Sequence, residues 1–202
     1  MGLTNLVDFH IEINQLKQTL RYNTCKKSMQ ESTADHSWKL ALLALDTIDK
    51  LGLQVNPIYS VKLALVHDLC EYQATQDIDS TEVANGKISK QQKHNLEESV
   101  IKELSQRYNR QDIYDAWIDY EEGKTPEAKY IRALDKMEAL IHITERGERG
   151  RNYDDADHIA LYADEAVLKF PDLIPLLREV KLKLKKTYPK QGMEWKPEYD
   201  RV

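Results

Sequence analysis

The stretch that decides the fold is Val61-Lys62-Leu63-Ala64-Leu65-Val66-His67-Asp68. Its apolar run has the composition of a core helix, and it ends on two polar side chains that do not belong in a core. An imidazole beside a carboxylate costs free energy when buried, unless each group finds a cation or a hydrogen bond. The pair His67 and Asp68 therefore indicates a polar site at the end of a buried helix.

Two further residues complete a candidate ligand set for a metal ion. His36 stands at the start of an earlier helical pattern, and Asp135 lies on a later one. Two imidazoles and two carboxylates suit a divalent first-row ion better than calcium or a thiolate-bound zinc. The alternative is a group of partly buried polar residues satisfied by hydrogen bonds alone. Taken as a quartet, His36, His67, Asp68 and Asp135 favour the metal site.

Length and composition predict one helical, soluble domain. The chain has 202 residues, of which 41% are hydrophobic and 31% are charged, with only 7 Gly and 6 Pro. This length is enough for one full core, and we expect a core domain over residues 1–150. Residues 151–202 are predicted to form a helical extension and a polar tail packed on the same domain. No basic leader and no apolar run of about 20 residues is visible, so the expected location is the cytoplasm, without a membrane.

Charge and cysteine content exclude several kinds of function. The net charge of −5 provides no global positive field that would recruit a long nucleic acid. Local cations must therefore hold any anionic substrate. The two cysteines, Cys25 and Cys70, form neither a disulfide framework nor a thiolate zinc site. We interpret Cys70 as a packed helix residue rather than a redox-active thiol.

Apolar spacing of three and four residues recurs along the chain and predicts helices throughout. Asn56-Pro57 opens the helix that carries His67, with proline in the first turn, where it removes no helical hydrogen bond. No alternating pattern predicts a strand with confidence. The fold class is therefore all-α, with helices predicted near residues 6–20, 36–51, 57–67, 89–108, 112–121, 126–146, 154–169 and 171–188.

Five pieces of sequence, in order, carry a family resemblance: Arg21-Tyr22, residues 31–37, residues 65–71, Asp77-Ile78 and residues 133–140. Together they resemble the HD-domain metal phosphohydrolases, and within them the 5′-deoxynucleotidase branch. The resemblance implies a helical bundle with one metal ion in its core and a homodimeric assembly. It also implies removal of phosphate from nucleotides, foremost from deoxyribonucleoside 5′-monophosphates. The ion remains open among Mn, Co, Fe, Ni, Mg and Zn.

Glu71 and Asp68 are the predicted catalytic residues. Glu71 follows His67 by four positions, so a continuous helix would place both side chains on one face, where Glu71 can manage a proton for the attacking water. The alternative for Glu71 is a solvated residue at a helix end. Arg21 has a planar fork suited to phosphate, and the resemblance implies that it contacts substrate; from composition alone it is a surface residue.

The resemblance assigns two more substrate contacts, and the chain departs from the family at both. Asp77 matches the Asp that senses the sugar, but the usual Gly-Asp-Ile is here Gln76-Asp77-Ile78. Loss of that glycine removes easy access to positive φ, and a turn-forming role for Asp77 is the alternative. Tyr22 replaces a Trp often seen in the branch and keeps an aromatic wall.

Three other functions are compatible with the same residues. A deoxynucleoside triphosphate triphosphohydrolase would need further cations for its extra phosphates, and Lys39 is one of several basic residues able to supply them. A dinuclear phosphodiesterase would need His94 or His142 as additional ligands, although each more readily packs or faces solvent. A binding module with a structural metal would need no open coordination position, and the presence of Glu71 and Arg21 argues against it.

Overall fold

The computed structural model describes residues 2–21, 31–73, 88–146 and 156–202, without the side chains of residues 145 and 146. Over these ranges the regular structure is helical, apart from one antiparallel bridge between Leu20 and Ser32, which confirms the all-α prediction. None of the helices described is both long and apolar enough to cross a membrane. The α-helices are α1 (Leu3–Glu12), α2 (Thr33–Leu51), α3 (Pro57–Val66), α4 (Lys90–Tyr108), α5 (Gln111–Glu122), α6 (Pro126–Arg146), α7 (Ala156–Leu161), α8 (Asp164–Leu168) and α9 (Ile174–Thr187).

Local sequence signals set the ends of the two helices that carry the histidines. Before α2, the Ser32 side chain accepts from the Asp35 backbone N–H, and the Asp35 carboxylate accepts from the Ser32 backbone N–H. The same helix stops at Gly52, whose φ of +63° is readily adopted by glycine. Asn56 caps α3 through the Tyr59 backbone N–H. Helix α2 is thereby fixed to begin three residues before His36.

The core forms where α2, α3 and α6 pack on one another, with α5 against α3 and α6. Leu40, Leu63 and Leu134, one from each of the three central helices, are completely buried, as is Trp117 of α5. Burying one such side chain contributes about 1.5–3 kcal/mol relative to leaving it exposed. Because this packing fixes α2, α3 and α6 side by side, it also fixes the polar side chains that they carry between them.

Three predicted helices are shorter or more divided than the apolar spacing indicates. The first ends at Glu12 and continues as a 3-10 helix, Ile13–Lys17, rather than reaching Leu20. Residues 154–169 form α7 and α8 instead of one helix, separated at Tyr162 and Ala163. The segment from 171 begins as a 3-10 helix, Pro171–Leu173, before α9. Pro175, which has no backbone N–H, lies in the first turn of α9, where it removes no helical hydrogen bond.

The C-terminal tail packs on helices of its own chain. The ring of Tyr199, 1% exposed, lies 5.2 Å from that of Trp195, which in turn lies 4.9 Å from the ring of Tyr188. Buried Lys181 of α9 donates at 2.7 Å both to Asp164 and to the Tyr199 backbone oxygen. These contacts tie the last residues to α8 and α9. The division of the chain at residue 150 stays a prediction.

Candidate metal centre and active site

His36 is completely buried in the first turn of α2. Its Nδ1 lies 2.5 Å from a carboxylate oxygen of Glu138, to which it donates, so the lone pair of Nε2 points away from Glu138. Nε2 lies 3.2 Å from Asp135 Oδ1 but makes no hydrogen bond of acceptable geometry with any residue described. Burial alone would lower the pKa of His36, but Asp135 and Glu138 outweigh it and raise the pKa to about 9. The site thus attracts a positive charge at Nε2.

His67 caps the C-terminal end of α3 and presents a second bare nitrogen. Its Nδ1 donates to the Ala64 backbone oxygen at 2.9 Å, which assigns the unprotonated nitrogen to Nε2. Nε2 is buried and has no hydrogen-bond partner within the four described ranges. The rings of His36 and His67 stand edge to face, 5.2 Å apart. An uncompensated buried acceptor costs about 1–3 kcal/mol, so two neutral rings side by side here require a cation, a proton or a metal ion, at their Nε2 atoms.

Asp135 of α6 completes a cluster of three. One ligand atom each of His36, His67 and Asp135 lies within 4.8 Å of the others, and all three residues are buried. The second oxygen of Asp135 accepts from the Tyr120 hydroxyl at 3.1 Å and from Lys136 at 2.9 Å. Two bare imidazole nitrogens facing one carboxylate oxygen form the donor set that a divalent cation requires. The residues present therefore fit a metal ion.

Asp68 stands beside this cluster rather than within it. Its Oδ2 lies 3.0 Å from His67 Nε2 and accepts from Arg21 Nη1 at 2.6 Å. Burial would raise the pKa of Asp68, but His67 and then Arg21 outweigh it and hold the pKa well below its usual range. Asp68 is thus an anionic carboxylate next to His67, a candidate ligand. Its predicted role as the fourth ligand stays a prediction.

Glu71 lies close to the site, but the prediction that one continuous helix carries both His67 and Glu71 was wrong. Helix α3 ends at Val66, and Glu71 belongs to a separate 3-10 helix, Leu69–Gln73. At this helix end the His67 side chain donates to the Ala64 carbonyl, which in a continuous helix would accept from the backbone N–H of residue 68. Glu71 is nonetheless buried, and Thr33 Oγ1 donates to its Oε2 at 2.7 Å. Thr33 thereby ties Glu71 to the first turn of α2, where His36 lies.

Arg21 is the one predicted substrate contact that lies within the described ranges. It follows Leu20 of the antiparallel bridge and donates to Asp68, which brings a guanidinium to the edge of the cluster. The other two predicted contacts, Tyr22 and Asp77, lie outside the residues that the structure describes. Their roles stay predictions.

Glu138 is a functional residue that the sequence motifs did not assign. It is completely buried on α6, three positions after Asp135, and its second oxygen lies 2.8 Å from Lys39 Nζ. Burial would raise the pKa of Glu138, but the hydrogen bond from His36 outweighs it and lowers the pKa to about 2. A carboxylate on the far nitrogen of a ligand histidine fixes the ring and strengthens the ligand. The i, i+3 spacing from Asp135 is the sequence signal that could have revealed it.

The remaining polar candidates take other partners. His94 stacks on Trp117, with ring centroids 5.4 Å apart, and lies 3.3 Å from Glu121. His142 lies 3.0 Å from Glu31. In the described part of the chain, neither joins the His36, His67 and Asp135 cluster. Neither is therefore placed to act as a further ligand beside His36, His67 and Asp135.

Burial raises the pKa of two residues beside the site, Glu97 and Cys70. Burial raises the pKa of Glu97 to about 7, opposed by Lys93 and reinforced by the charge of Asp68. Burial also raises the pKa of the Cys70 thiol well above its ordinary value. A thiol that resists ionisation is unreactive, which agrees with a packing role for Cys70.

Comparison with known protein families shows that the sequence model of the HD domain matches residues 13–169. This chain belongs to the HD domain family. Among curated relatives of this HD domain protein, the 5′-deoxynucleotidases HDDC2 of Bos taurus and Homo sapiens are each 29% identical over 190 residues. These alignments cover 89% of this chain and 85% and 86% of the relatives. The HDDC2 protein of Xenopus laevis is 30% identical over 149 residues, 71% of this chain and 70% of the relative.

Solved structures share the fold. A predicted metal-dependent phosphohydrolase from Magnetospirillum magnetotacticum superposes with a TM-score of 0.71 at 22% identity, covering 94% of each chain. The PH0347 protein of Pyrococcus horikoshii gives a TM-score of 0.66 at 23% identity, covering 88% of this chain and 99% of that one. At such identities the likeness concerns the fold alone. The resemblance drawn from the ordered sequence motifs is confirmed by the family match.

Proposed function

We propose that this HD domain protein is a metal-dependent phosphohydrolase that removes phosphate from nucleotides, foremost from deoxyribonucleoside 5′-monophosphates. The observation that carries the proposal is the pair of buried, bare Nε2 atoms of His36 and His67 facing Asp135. The three curated relatives described above are each named 5′-deoxynucleotidase, which supports the substrate class.

His36, His67 and Asp135 would hold one divalent ion, with Asp68 as the fourth ligand. Manganese, cobalt, iron, nickel, magnesium and zinc are all candidates, since nitrogen and carboxylate donors suit each of them. When bound, the ion supplies Lewis-acid polarisation of a phosphoryl oxygen and activation of water. Glu138 would keep His36 in the ligating tautomer.

The protein's own side chains would bind the phosphate and move the proton. Arg21 Nη1 donates to a carboxylate oxygen of Asp68 at 2.6 Å. The planar guanidinium can donate to the oxygens of a phosphate in the same way. Glu71, held by Thr33, would accept the proton of the attacking water and return it to the leaving nucleoside oxygen. Tyr22 and Asp77 are proposed to contact the nucleoside. The negative charge that develops on the phosphoryl group would be stabilised mainly by Arg21 and the ion.

The test is phosphate release from deoxyribo- and ribonucleoside mono- and triphosphates. The protein is stripped of metal and restored with each candidate ion in turn. We expect monophosphates to be cleaved preferentially, with cleavage lost on chelation. Release of triphosphate from the triphosphates alone would show the competing triphosphohydrolase instead. No release with any substrate while metal remains bound would contradict a nucleotidase and favour a structural metal.

The resemblance further supports a cytoplasmic homodimer as part of this proposal. Trp38, Leu42 and Leu45 follow one face of α2, and each exposes more than two fifths of its surface. A second copy of the chain would bury that stripe, as apolar cores of homodimer interfaces do. Light scattering over a range of protein concentrations tests the assembly, and a monomer at all of them would contradict it.

A further inference from the structure

A second carboxylate, that of Glu31, stands beside Arg21, on the Nε side of its guanidinium. The Arg21 backbone N–H donates to the Glu31 backbone oxygen at 3.0 Å, next to the Leu20–Ser32 bridge. The side chains also approach, with Arg21 Nε 3.8 Å from Glu31 Oε1. Arg21 is therefore in contact with Glu31 through both its backbone and its side chain.

Glu31 is itself held by a histidine from α6. His142 Nδ1 lies 3.0 Å from Glu31 Oε2, and only about a tenth of either side chain is exposed. Burying a carboxylate costs free energy unless its oxygens have hydrogen-bond or ion-pair partners. Here one oxygen faces Arg21 and the other faces His142. The pair fixes the carboxylate between α6 and the strand-like segment that carries Arg21.

The two carboxylates approach Arg21 from different directions. Glu31 lies on the Nε side, whereas Asp68 accepts from Nη1 on the other side of the planar group. Because a guanidinium is rigid and planar, fixing its Nε side also aims Nη1. We propose that Glu31 and His142 are positioning residues that keep Arg21 directed at the substrate phosphate. This inference deepens the proposed function and rests on the role given there to Arg21.

Glu31 is close enough to His36 and Glu138 to suggest a metal ligand instead, since one atom of each lies within 4.8 Å of the others. The contacts argue against that role. His36 Nδ1 already donates to Glu138, and its Nε2 faces Asp135. Both oxygens of Glu31 have cationic or donor partners in Arg21 and His142. A positioning role makes Glu31 matter for phosphate affinity and not for metal affinity.

The test is a double-mutant cycle with Glu31→Gln and Arg21→Ala in metal-loaded protein. For each of the four proteins, kcat and KM are measured with a deoxyribonucleoside monophosphate, and Kd is measured with inorganic phosphate. We expect Glu31→Gln alone to raise KM and the phosphate Kd about tenfold and to lower kcat as well, because Arg21 is proposed both to bind the phosphate and to stabilise the charge that develops on it. In the Arg21→Ala background, Glu31→Gln should add nothing, because the residue on which it acts is gone.

Two further variants separate positioning from a general structural effect. His142→Gln leaves Arg21 and Glu31 in place and should raise KM, as Glu31→Gln does. In the Arg21→Ala background, His142→Gln should also have no further effect. Asp164→Asn makes the same kind of change at the ion pair with Lys181 in the C-terminal helices, and its KM should match that of the wild type. Metal content should be unchanged in Glu31→Gln, His142→Gln and Asp164→Asn. If Glu31 were a metal ligand, Glu31→Gln would lose metal.

Equal increases of Kd in both backgrounds, or no increase at all, would overturn the positioning role. A wild-type protein that binds phosphate without turning over nucleotides would contradict the proposed function alone, since the phosphate titrations still complete the cycle. Failure of the metal-loaded wild type to bind phosphate would contradict both.

Discussion

At the scale of single residues, the centre is organised by what lies behind each ligand. His36 Nδ1 donates to Glu138, and His67 Nδ1 donates to the Ala64 backbone oxygen. Asp135 accepts from the Tyr120 hydroxyl. These partners leave two imidazole nitrogens bare and one carboxylate oxygen facing them. Sequence motifs indicated the three residues of this cluster because His and Asp are unusual in apolar helices. They did not indicate the partners, since the Glu138 contact spans 102 positions and all three contacts depend on how the side chains are placed in the fold.

Substitutions of Asp68 and Glu71 should have different effects on metal binding and turnover. Asp68→Ala removes a proposed ligand, so both bound metal and turnover should be lost. Glu71→Gln keeps the shape and the Thr33 contact but removes the proton acceptor, so metal should stay while kcat falls by roughly 10²- to 10⁴-fold. Metal analysis beside steady-state kinetics separates the two. Undiminished turnover in Glu71→Gln would remove Glu71 from the chemistry.

Glu138 should control metal affinity without touching the ion. Glu138→Gln replaces the anionic partner of His36 by a neutral amide and should weaken metal binding by roughly 10- to 100-fold. The matched control is Glu127→Gln on the same helix, where the carboxylate accepts from the Asn56 backbone N–H. Competition with a chromogenic chelator measures both. Equal metal affinity of the two variants would argue that His36 does not depend on Glu138.

At the scale of elements, helix ends determine the site. His36 lies in the first turn of α2, His67 caps α3, and Glu71 occupies a short 3-10 helix that begins where α3 stops. The Asn56 and Pro57 signals predicted the start of α3 correctly. The break after Val66 was not predictable from apolar spacing, because the apolar pattern carries no information on the contact between the His67 side chain and the Ala64 backbone carbonyl found there.

The capping box before α2 should therefore affect metal binding as well as stability. Ser32→Ala removes the cap and should lower the free energy of unfolding by about 1 kcal/mol, with weaker metal binding because His36 lies in the loosened turn. Ser89→Ala disrupts the same kind of box at α4, which carries none of the three cluster residues. It should cost similar stability with unchanged metal affinity. Denaturation and metal titration of both variants test this, and parallel effects on metal would contradict it.

At the scale of the whole molecule, the C-terminal segment packs on the rest rather than standing apart. Helix α9 packs on α6, the helix that carries Asp135, and the tail closes on α9 through Tyr199. Composition predicted a helical extension. It could not show how the tail packs, because an aromatic residue suits an interface between subunits as well as a core.

Tyr199→Ala should destabilise the protein by about 3 kcal/mol, because it empties a fully buried aromatic position. Unfolding should stay a single transition by circular dichroism and by fluorescence, as expected of one cooperative unit. Leu168→Ala, at an exposed position of the same region, should change stability by less than about 0.5 kcal/mol. A separate early transition in Tyr199→Ala would show an independently folding extension.

The central claim is that one metal ion at the His36, His67 and Asp135 centre drives phosphate release from a nucleotide. The most direct measurement titrates metal into stripped protein while following both bound ion and phosphate release from a deoxyribonucleoside 5′-monophosphate. We expect activity to rise in proportion to the bound ion and to saturate at one ion per chain, with neither binding nor activity seen in His67→Ala. Full activity in the stripped protein, or undiminished activity in His67→Ala, would contradict it.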